Sequence, residues 1–131
     1  AMHKIELYQQ IAALRNEEQV ADLLDAMIDR FGDPPEALNN LMIVARIKNF
    51  ARAMGVKSII QTGDWVTISF TDKPDVNVQG LFELRSRLPG RIKVLAGPPQ
   101  TISAKKAASG KENFGVWLLS VFQALAPAAA P

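Results

Sequence analysis

The sequence contains no cysteine and a single histidine, His3. Without thiols neither a disulfide nor a thiolate metal site can form, and the reducing interior of a cell is the default setting. Apolar runs are short as well. None approaches the roughly 18 residues that a membrane span needs, and no signal-peptide pattern opens the chain. The expectation is a soluble, cytoplasmic chain with no membrane contact. Ala1-Met2-His3 reads as a cloning remnant, which removes the one histidine from consideration as a general base or ligand.

What is present suits one globular domain. The 131 residues are 48% hydrophobic and 21% charged, and a chain of this length buries roughly two thirds of its unfolded surface. The formal net charge of +2 conceals an uneven distribution. Residues 1–36 hold eight acids against three bases, a net −5, and the remainder carries +7. A basic chain usually suggests an acidic partner such as nucleic acid, yet the acidic first quarter would repel phosphate.

Hydrophobic periodicity predicts an α+β fold: three N-terminal helices, then a small, mostly antiparallel sheet of three to four strands with a crossing helix and a C-terminal helix. The first helix is expected over 4–14, with Ile5, Tyr8 and Ala12 turned inward and Leu7 and Ile11 as further candidates. Asn16 resembles an N-cap with Gln19 in the capping-box position. A second helix follows to Phe31, burying Val20, Leu23, Leu24, Met27, Ile28 and Phe31, and Gly32 supplies a left-handed C-cap. Asp33 caps a third helix with Pro34 in its first position, and Gly55 stops it after Met54. Leu38, Leu41, Met42, Ile43, Val44, Ile47, Phe50 and Met54 wrap its circumference, the mark of a central helix. Strands are expected at Val56–Thr62 and Trp65–Thr71 around a Gly63-Asp64 turn, at Arg91–Leu95, and, short, at Gln100–Ser103. Helices are expected at 76–88 and at 111–125, the latter capped from Ser109. One domain thus covers 4–125, and 126–131 is a frayed tail with nothing to pack.

The residue inventory offers no reaction centre. Gly110-Lys111 echoes the end of a phosphate-binding loop. However, Lys105 stands where the first glycine belongs and Glu112 replaces the Ser or Thr. A calcium loop starting at Asp29 would lack its central glycine and terminal glutamate. No His or Cys joins the carboxylates to build a transition-metal site. A non-catalytic domain with no cofactor and no metal is expected.

Two surfaces stand out. Glu18, Asp22, Asp25 and Asp29, spaced 4, 3 and 4 apart, fall within about 60° of one another on the second helix, opposite its Leu24/Met27/Phe31 side. Such a stripe is either a solvated polar face or a docking face for a basic surface. Arg85, Arg87, Arg91 and Lys93 cluster around one turn, followed by Lys105, Lys106 and Lys111. They serve as phosphate contacts or simply as solubilising charge. No aromatics interleave these basic stretches as single-strand binders require, and Trp65 and Trp117 read as core or partly covered residues.

Leu7-Tyr8-Gln9-Gln10-Ile11-Ala12, Ile28-Asp29-Arg30-Phe31-Gly32 with Pro35, and Ala45-Arg46-Ile47-Lys48 with Gly55 together resemble the C-terminal domain of the bacterial transcription-repair coupling factors, the Mfd family. The resemblance covers about residues 5–95. It implies a parent protein that is an ATP-driven DNA translocase, engaging RNA polymerase and DNA through other domains. In that family this domain packs on an N-terminal UvrB-like module and hides the surface that UvrA would bind, an autoinhibitory clamp. The family often has Glu-Leu-x-Asp-Arg-Phe-Gly here; this sequence keeps Asp29 but has Ala26 in place of the Glu, with Asp25 adjacent. The resemblance therefore implies an interdomain-binding face of Asp29, Asp25, Asp22 and Glu18. The alternative is an accessory nucleic-acid-binding domain using Arg85, Arg87, Arg91 and Lys93.

Overall fold

A computed structural model describes residues 4–107 and 111–127. The expected remnant at 1–3, the Ser109 cap and the end of the tail lie outside the described residues. Helices α1 (Lys4–Ala12), α2 (Glu17–Phe31) and α3 (Glu36–Met54) come first. They are followed by β1 (Val56–Thr62), β2 (Trp65–Phe70), α4 (Val78–Arg87), β3 (Ile92–Leu95), β4 (Thr101–Lys105) and α5 (Phe114–Leu125). The four strands form one antiparallel sheet in the order β1-β2-β4-β3. This is the expected α+β architecture.

The sheet is legible from its alternation. Val66, Ile68 and Phe70 of β2 and Ile102 and Ala104 of β4 are buried on one face, while Trp65, Thr67, Ser69, Thr101, Ser103 and Lys105 take the other. β4 reaches two residues beyond the expected Ser103 and lies inside the sheet, between β2 and β3. Its polar outer residues disguise it in the sequence, but Thr67 and Ser103 hydrogen-bond side chain to side chain at 3.0 Å across the β2–β4 pair.

Among the described residues the buried side chains form two clusters. The larger fills the space between the inner sheet face and α3, α4 and α5, around Phe70, Met54, Ile68, Phe122 and Leu125. The smaller joins α1, α2 and the first half of α3 through Leu7, Ile11, Leu14, Val20, Met27, Met42 and Ala45. α3 contributes to both, so its wide apolar surface follows from having two cores to serve. Leu41 and Val44, also expected inside, remain exposed.

Several local expectations are corrected. α1 buries Leu7 and Ile11, one turn apart, with Leu14 beyond the helix end, whereas Ile5, Tyr8 and Ala12 face solvent. Both sets have helical spacing, and contact with α3 selects between them. On α2, Val20 and Met27 are buried and Leu23 and Leu24 half-buried, but Ile28 and Phe31 are exposed. Ile28 lies 100° from Met27 at the margin of the buried stripe. Phe31 is the last helical residue, where the chain turns away. α3 starts at Glu36 with Pro35 as its N-cap and no side-chain cap. Because Pro35 follows it, Pro34 is disfavoured from helical geometry and cannot be the first helical residue. Gly32 has the expected positive φ of 74°, but its ψ of −150° is outside the left-handed helical region, which Gly55 does occupy (φ 74°, ψ 36°). α5 begins at Phe114, capped by the Asn113 side chain, which accepts from the amides of Gly115 and Val116. On α4, Leu84 is buried but Val78 and Phe82 are each 60% exposed. Ala126, placed in the tail by the sequence, is buried in the larger core.

Candidate docking face

α2 is positioned at both ends. Asn16 Oδ1 accepts from the Gln19 amide at 2.8 Å, and Gln19 Oε1 accepts from the Arg15 amide at 2.8 Å, one residue earlier than a capping box requires. Arg46 then ties α3 to the first turn of α2: its Nε donates to both Glu17 carboxylate oxygens at 3.1 and 2.9 Å, and Nη2 donates to Oε1 at 2.5 Å. Two partly buried groups in this forked geometry fix the angle between the helices. It is the only salt bridge among the described residues.

Glu18, Asp22, Asp25 and Asp29 are brought together as their spacing predicts, on the solvent side of α2, and all four are exposed. No cation within 4.0 Å neutralises any of them among the described residues. Ile28 (43% exposed) lies 60° round the helix from Asp25, whereas Phe31 (52% exposed) ends the helix about 160° round from Asp29. Ala26 is exposed on the other flank of the stripe. The face is thus a row of carboxylates with one large apolar side chain, Ile28, beside it. Sequence reasoning missed that neighbour because it lies at a helical position that normally points inward.

The basic residues do not share one face. Arg85 and Arg87 occupy the last turn of α4, whose Leu84 enters the core on the inner side of the sheet. Lys93 instead projects from the outer sheet face, its Nζ 4.4 Å from the centroid of the Trp65 ring, and the Lys105 Nζ approaches the same ring at 5.9 Å. Strand pairing thereby brings two lysines that the linear sequence keeps 12 residues apart to one aromatic ring. Arg91 is half-buried beside the start of β3. Lys105, expected in a loop, belongs to β4. No group of three or more His, Cys, Asp or Glu side chains is placed to hold a metal ion among the described residues. No helix of the described residues is long and apolar enough to cross a membrane.

The family model for the TRCF domain matches residues 1–81, more than half of the chain. The chain belongs to the TRCF domain family. Several transcription-repair-coupling factors are similar to it. That of Staphylococcus epidermidis is 34% identical over 93 residues, covering 70% of this chain and 8% of the relative. That of Bacillus subtilis is 35% identical over 83 residues, 62% of this chain and 7% of the relative. The Escherichia coli protein is 27% identical over 95 residues, again covering 8% of the relative. The chain therefore spans less than a tenth of the length of these relatives. Among solved structures, the C-terminal domain of a transcription-repair coupling factor has the same fold. Its TM-score is 0.73 at 20% identity, over 93% of this chain and 78% of that one. The resemblance read from the residue strings is borne out, and the TRCF domain is a domain of a transcription-repair coupling factor. The likeness in fold extends beyond the family match.

Proposed function

We propose that this TRCF domain is a non-catalytic regulatory module that docks through the acidic face of α2 on the UvrB-like N-terminal module of its own parent protein. Docked there, it masks the surface that UvrA would bind and so holds the repair-recruiting function in check. ATP hydrolysis, DNA translocation and contact with RNA polymerase belong in this reading to other parts of the parent chain, in the cytoplasm.

The observation that carries it is the α2 face itself: four exposed carboxylates without cation partners among the described residues, bordered by exposed Ile28. Like charges one turn apart cost a helix about 0.2–0.5 kcal/mol per pair. A partner bearing Arg or Lys relieves that repulsion on contact, and the Ile28 side chain supplies apolar area that charge pairing lacks. The Glu17–Arg46 fork keeps the face at a set angle to the rest of the domain. Asp29, shared with the family motif, is the residue expected to matter most.

Titration of the isolated UvrB-like module with this domain tests the reading. Binding should weaken as salt rises, and Asp29→Arg should weaken it about tenfold, equivalent to ~1.4 kcal/mol. Unchanged affinity of Asp29→Arg at low salt would remove α2 as the docking face. A second reading, direct contact with nucleic acid, is favoured by Lys93 and Lys105 both approaching the Trp65 ring on the outer sheet face. Titration with single- and double-stranded DNA at low salt decides it: binding should disappear in Trp65→Ala with Lys93→Glu, and absence of any binding ends that reading.

A further inference from the structure

A groove of about 440 Å³ opens between α1 and α3, and no residue of α2 lines it. Its α3 wall is a single helical stripe: Leu41, Val44 and Ala45, then Lys48 and Asn49, then Arg52. At 1.5 Å per residue the stripe runs about 16 Å, from an apolar end to a cationic end. α1 adds Tyr8 and Ile11, and Arg15 adds a third cation. No Asp or Glu lines the groove. Its apolar end is not closed by the fold, since Leu41 is 38%, Tyr8 42% and Val44 47% exposed.

Asn49 lies within the cationic end, beside Lys48 and one turn before Arg52, and it is the one polar residue buried in the domain among the described residues, at 2% exposure. Its Oδ1 accepts from Arg52 Nη2, which orients the amide, and its Nδ2 has no hydrogen-bond partner. A buried donor left unpaired costs about 1–3 kcal/mol, so a face that only had to be solvated would gain by replacing it. The donor, the apolar end and the single-sign cations describe one elongated ligand.

We infer that this groove is a second docking site, for a short acidic amphipathic segment of another protein. A large apolar side chain of the segment seats among Leu41, Val44 and Ile11. A peptide carbonyl accepts from Asn49 Nδ2, and carboxylates to either side of it meet Lys48 and Arg52. The chemistry favours a peptide over other anions. A nucleic-acid backbone has no use for the apolar end, and a fatty acid brings a single carboxylate to a groove lined by Arg15, Lys48 and Arg52. The site stands apart from the α2 face, so it does not depend on the reading above.

Selection of a random 12-residue phage-displayed peptide library on the intact domain tests the inference. Enriched peptides should carry one or two large apolar residues followed by Asp or Glu. A synthetic copy should bind with a Kd in the micromolar range and shift the NMR signals of α1 and α3. Lys48→Glu, at an exposed position, should weaken it several-fold without lowering the thermal midpoint, whereas Asp29→Arg should leave it unchanged. Asn49→Leu should weaken it several-fold while the domain stays folded. No enrichment, enriched peptides without acids, or an affinity indifferent to the charge reversal would overturn the proposal. So would dodecanoate displacing every peptide from the groove, or self-association of the domain that the charge reversal abolishes, since each names a different occupant.

Discussion

Phe122 and Phe31 are the same residue type at helical positions, yet they have opposite fates. Phe122 is fully buried in the larger core, and Phe31 is 52% exposed at the end of α2. Phe122→Ala should destabilise the domain by about 3–5 kcal/mol, lowering the urea midpoint with little change in slope. Phe31→Ala should change stability by no more than about 0.5 kcal/mol. Equal losses of stability in the two variants would mean that Phe31 is covered within the domain itself. The pairing of Lys93 with Trp65 is a smaller effect, about 0.5–1 kcal/mol at an exposed site, and it matters more for what it assembles than for what it stabilises.

At the scale of elements, α4 packs closely on α5 at Gly80. A Cβ on Gly80 would lie 1.8 Å from the carbonyl oxygen of Ala124, a main-chain atom that cannot move aside. The Asn77 side chain accepts from the Gly80 amide at 3.1 Å, and the Asn77 amide donates to the carbonyl of Leu125 at 2.8 Å, so the start of α4 is bolted to the end of α5. Helix propensity alone predicts that Gly80→Ala stabilises α4 by about 0.8–1 kcal/mol. The steric contact predicts the opposite sign, a loss of about 1–3 kcal/mol. Thermal denaturation of that single variant separates the two, and a raised midpoint would show that α4 can lift from α5 at little cost. α5 itself needs no such test of character, because its apolar residues surround it and Val121, Phe122 and Leu125 are fully buried.

The whole molecule is two cores threaded by one helix. The larger core engages the sheet and α5, whereas the smaller rests on α1, α2 and half of α3. Stability should therefore be uneven. Amide hydrogen exchange should be slowest in β2, β4 and α5, and α1 should exchange earlier through partial opening. Uniform protection across α1 and β2 would mean instead that the two cores unfold as one. The same division separates the surfaces by role: the α2 face and the α1–α3 groove lie on the smaller core, and the Trp65 face lies on the sheet.

Much of this was determined by the sequence alone. The order of helices and strands, the α2 stripe and the absence of a recognisable catalytic pattern follow from periodicity, caps and residue inventory, which are local properties. The family match also rests on short strings such as Asp29-Arg30-Phe31-Gly32. Tertiary structure decided which of two equivalent faces α1 buries, Leu7/Ile11 or Ile5/Tyr8, because both satisfy helical spacing and only α3 distinguishes them. It also decided that Ile28 stays exposed beside the carboxylates and Phe31 at the end of α2, since burial depends on whether another element reaches a position. Finally, it parted Lys93 from Arg85 and Arg87 and set it against Trp65, because cross-strand neighbours are fixed by register and strand order, and neither has a local signal in the chain.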